Sequence, residues 1–276
     1  MKNICVITGG GSGMGLAAAK LLGKDHSIIL AGRTVSKLDG AVSELKGLGI
    51  DVSAYPCDVS DRTSVQALAK KAAAAGAVKT VIHAAGISPH MADAASIFRV
   101  NAIGTIFVNE EFLKVMEPGA CIVDVASMAA YMMPEGFATD FYSMALSDID
   151  KFRQTSLAVL ESVPEDASRG FSYVLSKNFA VWYAAECACL AGSRGIRVLS
   201  VSPGTFKTPL GEIEGKDASS IAESGALGRV GEVAEIAGLL AFVAGSQAAY
   251  LTGTDILCDG GTVAMLNRNK REAAAK

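Results

Sequence analysis

Short apolar runs, each closed by small or polar residues, recur along the chain at 4–7, 27–31, 51–55, 78–83, 120–125, 196–201 and 255–258. Their length and composition predict seven strands buried on both faces. Between them, apolar positions recur three and four apart. This spacing predicts helices at 14–22, 35–48, 60–75, about 92–116, 172–191 and 233–243. Leu38, Val42, Leu45 and Leu48 share one face of the second, Ser60 is read as the cap of the third, and Pro118-Gly119 breaks the fourth. Strand and helix alternate over nearly the whole length. That order predicts right-handed crossovers and one α/β domain over 1–266, a Rossmann-type, doubly wound parallel sheet. A polar, helix-prone tail follows at 267–276; its 272–276 stretch matches a helical linker unit and is left out of the functional reading.

One stretch breaks the rhythm. Residues 129–170, between the fifth strand and the helix at 172–191, form an insertion rich in aromatic residues and methionine, including Tyr131, Met132, Phe141, Tyr142 and Phe152. It is predicted helical over 148–161. A segment this long is expected to be functional or separately structured. Its apolar side chains suit either a bulky apolar substrate or packing onto the body.

The first strand runs directly into Thr8-Gly9-Gly10-Gly11-Ser12-Gly13-Met14-Gly15 and then into a helix. Glycine permits positive φ and close backbone approach. A helix N-terminus there offers free N–H groups and a positive dipole end to phosphate. The stretch therefore reads as a dinucleotide pyrophosphate site. Ligands of such sheets bind at the carboxyl ends of the strands. Thr8, Arg33, Asp58, Ala85, Ser127 and Pro203 all fall at predicted strand ends and are expected around one crevice.

Composition narrows the function. Half of the residues are hydrophobic and 19% are charged, as a large core with doubly covered strands requires. The net charge of −3 and the lack of a basic tract argue against a nucleic-acid or membrane-surface partner. No apolar run reaches the ~18 residues of a membrane span. The six cysteines show neither CxxC nor metal-ligand spacing, so no metal site is expected and a reducing cytoplasm is the expected setting. A strand beginning by Asn3 leaves no room for a signal peptide.

Tyr173 and Lys177 lie four apart at the start of a predicted helix, which puts both on one face. A tyrosine hydroxyl is ordinarily too weak an acid to exchange protons near neutrality. An ammonium beside it favours the phenolate, so the pair suits proton exchange with an alcohol or ketone oxygen. Two exposed helix residues would show the same spacing. Ser127 is suited to bonding a substrate carbonyl, or is an ordinary strand-end serine. Asn101 falls mid-helix, where its propensity is poor; that conflict suggests a functional role or a bend-inducing backbone bond.

Together these positions resemble the short-chain dehydrogenase/reductase family over residues 2–265. Thr8-Gly9-x-x-x-Gly13-x-Gly15 matches its cofactor turn, and Gly11, Ser12 and Met14 fall inside it. Asp58-Val59 matches its adenine-contacting pair, and Ala84-Ala85-Gly86 the end of its Asn-Asn-Ala-Gly strand terminus. Asn101, Ser127, Tyr173 and Lys177 match its catalytic tetrad in order. Pro203-Gly204, Phe206 and Thr208 fall in the loop that holds the nicotinamide carboxamide, and Asp259-Gly260-Gly261 matches a C-terminal signature. The resemblance implies that Tyr173 exchanges the substrate proton and Lys177 lowers its pKa and bonds the nicotinamide ribose. It also implies that Ser127 orients the carbonyl and Asn101 holds a water linking Lys177 to solvent.

The chain departs from the pattern in places. His83 and Ala84 stand where the family has two asparagines, and His83 is expected to be a structural substitute rather than a base. The 86–101 loop is short and the gap between Ser127 and Tyr173 long. Both features resemble the bacterial 3α-hydroxysteroid dehydrogenase/carbonyl reductase branch, in which the insertion covers the face used elsewhere for tetramers. A homodimer is therefore implied, with a homotetramer as the alternative. At the end of the second strand Gly32 stands where an acidic residue would bond the ribose of NAD. Arg33, followed by Thr34, suits a 2′-phosphate, so NADP(H) is expected over NAD(H). The expected activity is interconversion of a secondary alcohol and a ketone, on a hydroxysteroid or another bulky apolar carbonyl. A 3-oxoacyl-thioester reductase and a non-catalytic dinucleotide-binding regulator are the alternatives.

Overall fold

Seven strands pair in parallel in a computed structural model, which describes residues 2–275. They are β1 (Asn3–Thr8), β2 (Ser27–Gly32), β3 (Val52–Pro56), β4 (Ala77–His83), β5 (Cys121–Val125), β6 (Arg197–Pro203) and β7 (Asp255–Cys258). Their spatial order is β3-β2-β1-β4-β5-β6-β7, so the direction of winding reverses between β1 and β4. The helices are α1 (Gly13–Leu22), α2 (Val35–Gly47), α3 (Arg62–Ala75), α4 (Ala94–Phe98), α5 (Gly104–Leu113), α6 (Ile149–Glu161), α7 (Glu165–Ala191), α8 (Pro209–Glu223), α9 (Val233–Ala244) and α10 (Thr262–Ala274).

Successive strand residues point to opposite faces, and each face has its own core. Ile4, Val6, Val81, Ile122 and Val198 pack against α3, α5 and α7. Cys5, Ile7, Leu30, Val123 and Leu199 pack against α1, α2 and α9. This is the single α/β domain with a doubly covered sheet that the alternation predicts.

On the face beneath α5 and α7 the apolar rows end in a polar one. Thr8 pairs with His83, His83 with Asp124, Asp124 with Ser200 and Ser200 with Asp255. The first four are buried. Burying polar groups is costly unless they are hydrogen-bonded, so this row dictates much of the local bonding.

Several boundaries differ from the periodicity. The helix expected at 92–116 is three pieces: α4, a π-helical turn over Arg99–Ile103, and α5. Asn101 sits in that wide turn, and its side chain bonds the backbone of Ile87 rather than its own helix. Ser60 does not cap α3. Asp61 does, accepting from the Thr63 amide, while Ser60 bonds Asp58. α7 begins at Glu165, not 172: Pro164 precedes it and Glu165 and Asp166 face the dipole in its first turn. α8 was not foreseen, although Thr208-Pro209 is a cap followed by proline in the first turn. α10 crosses the expected start of the tail at 267. Met1 and Lys276, included in the expected domain and tail, lie outside the described residues.

The insertion resolves into 3₁₀ turns over Met128–Met132 and Asp140–Leu146, then α6. Its aromatic residues mostly face the body. Tyr142 and Phe152 are fully buried. Phe152 stacks on Phe179 of α7 at 4.6 Å between ring centroids and lies 5.7 Å from Phe98 of α4. The packing reading of these residues is therefore the better one. Phe152→Ala should lower the unfolding free energy by about 3–5 kcal/mol, the cost of emptying such a site. Urea denaturation measures it, and a loss below ~1 kcal/mol would mean the insertion adds little to the core.

Candidate active site

The reversal between β1 and β4 leaves a crevice at the carboxyl ends of the strands, and there the structure holds a cavity of about 410 Å³. β1 ends at Thr8, and the chain turns through Gly9 at φ +68°. A Cβ at Gly9 would lie 2.7 Å from the Ala84 carbonyl oxygen, so only glycine lets the two strand ends approach this closely. Ser12 precedes α1 in extended conformation, no side chain caps the helix, and no acidic residue sits in its first turn. The N-terminal amides of α1 are thus left for a ligand, and a pyrophosphate matches them.

Gly9, Gly11, Ser12, Gly13, Met14 and Gly15 line this cavity. So do Arg33, Thr34, Asp58, Val59, Ala84, Ala85 and Gly86 from the ends of β2, β3 and β4. Ser127, Tyr173, Lys177, Pro203, Gly204, Phe206 and Thr208 complete the expected set. Thr8 and Asn101 are the two expected residues that do not line it; both are buried just beneath. Met132 of the insertion lines the cavity as well, in keeping with the substrate reading of that stretch, while the sequence reading missed Lys37, Ile87, Met91 and Met128, and Leu210, Ile213 and Ile221 of α8. Recognition of the Thr208-Pro209 helix start would have supplied the last three.

At the β2–β3 end, burial works to raise the Asp58 carboxyl, but two hydrogen bonds from Ser60 and the charges of Arg33 and Arg99 hold it below the usual range. Asp58 is therefore an acceptor at neutral pH. Arg33 and Lys37 are the cationic side chains of the cavity at this end.

At the other end, the Lys177 Nζ lies 5.9 Å from the centroid of the Tyr173 ring, one turn away on α7. It donates to the Val125 carbonyl at 2.8 Å, which fixes the ammonium at the end of β5. Ser127 starts the 3₁₀ turn at Met128–Met132, and its Oγ accepts from the Ala129 amide at 3.2 Å. A Cβ at Gly86 would lie 3.2 Å from the Asn101 Oδ1 and 3.4 Å from the Lys177 Nζ, so glycine there lets both groups close on one point. The Asn101 amide accepts from the Ile87 N–H at 2.9 Å and donates to the Ile87 carbonyl at 3.0 Å. It clamps the loop that follows β4.

His83 lies outside the cavity lining, with both ring nitrogens bonded to threonine hydroxyls. Burial, and after it the charge of Lys177, pushes its pKa down to about 3. It is a neutral structural group at working pH. Asp124, its neighbour in the polar row, is pushed up to about 7 by burial, against the hydrogen bonds of Asn109 and the charge of Lys177. Among the described residues, no group of three His, Cys, Asp or Glu side chains is placed to hold a metal ion.

With this geometry in place, comparison with known proteins is direct. Residues 3–145 match the family model described as short chain dehydrogenase, and 154–263 that described as Enoyl-(Acyl carrier protein) reductase. The short-chain dehydrogenase/reductase bsc3 of Alternaria brassicicola is 31% identical, over 97% of this chain and 98% of its own. The 3-oxoacyl-[acyl-carrier-protein] reductase FabG of Thermotoga maritima is 29% identical, over 94% and 97%. Among solved structures, a Burkholderia cenocepacia short chain dehydrogenase in complex with NADP superposes with a TM-score of 0.74 at 23% identity, over 94% and 96% of the two chains. Levodione reductase does so at 0.77 and 22%, over 95% and 98%. The chain belongs to the short-chain dehydrogenase/reductase family, whose members are NAD(P)-dependent oxidoreductases.

The buried carboxyl of Asp124 yields a pH-dependent prediction. Folded Asp124 holds its proton up to about 7, whereas in the unfolded chain it is lost near ~3.9. The folded state therefore binds more protons across that window, and stability falls as pH rises through it. Asn109 Oδ1 is buried without a partner, so an amide at 124 would bond it reciprocally. Asp124→Asn should stabilise the protein, by ~2–3 kcal/mol more at pH 8 than at pH 5. Thermal melts at both values test it; an equal gain at both would mean that Asp124 does not carry the raised pKa.

Proposed function

We propose that this protein interconverts a secondary alcohol and a ketone with NADP(H), acting on an apolar carbonyl compound. The observation that carries the reading is the side-by-side placement of Tyr173 and Lys177 on the cavity that also receives the uncapped N-terminus of α1. The N–H groups of α1 would hold the pyrophosphate, and Asp58 and Val59 the adenine. When bound, the nicotinamide supplies or accepts the hydride. Tyr173 Oη gives a proton to the carbonyl oxygen in reduction and takes one from the alcohol in oxidation. The ammonium of Lys177 favours the phenolate. Ser127 Oγ bonds the same oxygen and fixes the carbonyl. Asn101 holds the 86–88 backbone in place beside Lys177.

The cofactor preference follows from Arg33 and Lys37, two cations at the end of β2 where a 2′-phosphate would lie. The substrate class follows from the lining. Among the described residues, the charged side chains on the cavity are Arg33, Lys37, Asp58 and Lys177. The rest of the substrate wall includes Met91, Met128, Met132, Phe206, Ile213 and Ile221. Methionine adapts to irregular apolar shapes, which suits a bulky neutral ketone; a hydroxysteroid is one member of that class. The likeness to the Thermotoga maritima enzyme supports a second reading, reduction of a 3-oxoacyl thioester. The resemblance also carries a homodimer, with a homotetramer as the alternative, and the cysteine usage a cytoplasmic setting. The six free cysteines fit the latter. Among the described residues no helix is long and apolar enough to cross a membrane.

A panel of steroids, quinones, small ketones and oxoacyl thioesters, followed by nicotinamide absorbance, separates the two substrate readings. On the best ketone, Tyr173→Phe should lower kcat by about 10²–10⁴-fold, the contribution of general acid–base help. Unchanged turnover would mean that Tyr173 is not the proton donor, whereas no turnover of any panel compound by the wild-type protein would leave a dinucleotide-binding regulator as the better account. Wild-type protein should favour NADPH over NADH in kcat/KM, and Arg33→Ala should reduce that ratio about 10–100-fold through loss of charged hydrogen bonds. A wild-type preference for NADH would overturn the cofactor assignment.

A further inference from the structure

The proposed mechanism uses no member of the polar row beneath the cavity, yet one of them, His83, bonds towards both β1 and α5. His83 ends β4 in register with Thr8 of β1 and Asp124 of β5, and it is 2% exposed. Its Nδ1 lies 2.7 Å from Thr8 Oγ1 and its Nε2 3.2 Å from Thr105 Oγ1 of α5. The directions of these bonds can be worked out from their neighbours. Thr8 Oγ1 accepts from the Ala85 amide at 3.2 Å and keeps both a lone pair and a proton to offer Nδ1, so the far side of the ring sets the direction. Thr105 Oγ1 donates its single proton to the Asn101 carbonyl at 2.7 Å, so towards His83 it is an acceptor. Nδ1 must therefore be bare and Nε2 protonated.

We propose that His83 is a positioning residue which, as a neutral imidazole protonated on Nε2, ties the π-helical turn presenting Asn101 to the glycine turn opening α1. The chain of bonds runs from the Ala85 amide through Thr8, His83 and Thr105 to the Asn101 carbonyl. Every link points the same way, so each donor in it meets an acceptor. The Asn101 carbonyl it reaches belongs to the π-turn, where the ordinary helical ladder is broken. The charged groups that bear on His83 are Lys177 of α7 and, beside it in the row, Asp124 of β5. The ammonium disfavours a second proton on the ring. A doubly protonated ring would also turn Thr8 Oγ1 into an acceptor twice over and leave its own proton without a place. The row thus holds cofactor turn and tetrad turn in one register, and it rests on the dinucleotide reading of the α1 turn.

Two substitutions divide the function of the ring. His83→Asn can keep an acceptor near the Nδ1 position but does not reach Thr105. His83→Gln can keep a donor near Nε2 but lacks the acceptor towards Thr8. His83→Phe fills the space and bonds neither. NADPH binding is followed by fluorescence titration, and turnover by kcat on the ketone chosen from the panel. His83→Phe, shown folded by circular dichroism, should raise the NADPH Kd about 10-fold, as loss of two such bonds implies, and lower kcat. The asparagine variant should recover Kd more than kcat, and the glutamine variant kcat more than Kd. Loss of both in proportion to Tm in all three variants would show a merely structural role and overturn the proposal, as would a phenylalanine variant with wild-type Kd and kcat.

Nuclear magnetic resonance of ¹⁵N-histidine protein tests the tautomer independently. The chain has three histidines, and the His83 signals are assigned by their loss in the variants. They should show Nε2 protonated and Nδ1 bare from pH 5 to 8. A ring that titrates in that range, or that carries its proton on Nδ1, overturns the proposal. Failure of the wild-type protein to bind either NADPH or NADH would instead overturn the dinucleotide reading, and the resonance experiment would still decide the state of His83.

Discussion

β1 has a parallel neighbour on each side, β2 and β4, and everything at the site follows from how the chain leaves those three strands. A right-handed crossover from β1 puts α1 on one face of the sheet, and the later crossover through α3 lands on the other. The segments after β1 and β4 must then part company, and the gap between them is the crevice. Parting begins from contact: at Gly9 the backbone passes so close to Ala84 and Ala85 that no side chain fits. That closeness aims the amides of α1 into the same space that α7 enters with Tyr173 and Lys177. Helix dipole and ammonium therefore face one cavity because the sheet has one point of reversal.

The same geometry creates a problem that the polar row resolves. Residues at the carboxyl ends of the central strands must either face the cavity or turn inward beneath α5 and α7. Thr8, His83, Asp124 and Ser200 turn inward, where an unpaired polar group costs about 1–3 kcal/mol. Thr105 and Asn109 of α5 are spaced four apart and bond the row from above, through His83 and Asp124 respectively. At the far edge, Asp255 accepts from Ser200, Ser202 and Tyr131. The row is satisfied apart from Asn109 Oδ1, and its bonds tie the sheet to α5 and to the turn that carries Tyr131.

The sheet and the crevice at its carboxyl edge were legible because they rest on local signals: apolar runs with a period of their own, and glycines between a strand and a helix. The π-turn at Asn101 was half legible. Its poor helix propensity marked the place, but the reason lies in Ile87, fourteen residues away, whose backbone only the fold brings near. Of the row only the structural part of His83 was legible; Thr8 was expected at the crevice and Asp124 went unmarked, since a strand-end Thr or Asp looks the same whether it faces a ligand or a helix. The start of α7 was missed for a different reason. Its first turns, over 165–170, are mostly exposed and so carry no apolar stripe, and Gly170 lowers helix propensity just ahead of the expected start at 172.

The insertion shows why such packing matters to chemistry even when its aromatic residues touch no substrate. Tyr142, buried among Phe152, Phe179 and Trp182, donates its hydroxyl to Asn178 Oδ1 at 3.1 Å. Asn178 follows Lys177 on α7, and its Nδ2 donates to the Ala130 carbonyl at 2.9 Å. Ala130 lies in the 3₁₀ turn whose first residue is preceded by Ser127. The insertion thus reaches the site through one asparagine that bonds it on one side and the Ser127 turn on the other. Ser127 comes from the end of β5 and Tyr173 from α7, and no bond of the sheet itself fixes the angle between a strand end and a helix that starts forty residues later. The aromatic cluster supplies rigidity, and Asn178 transmits it. On this view a long insertion between the serine and the tyrosine braces their geometry, while Met128 and Met132 at its edge line the cavity.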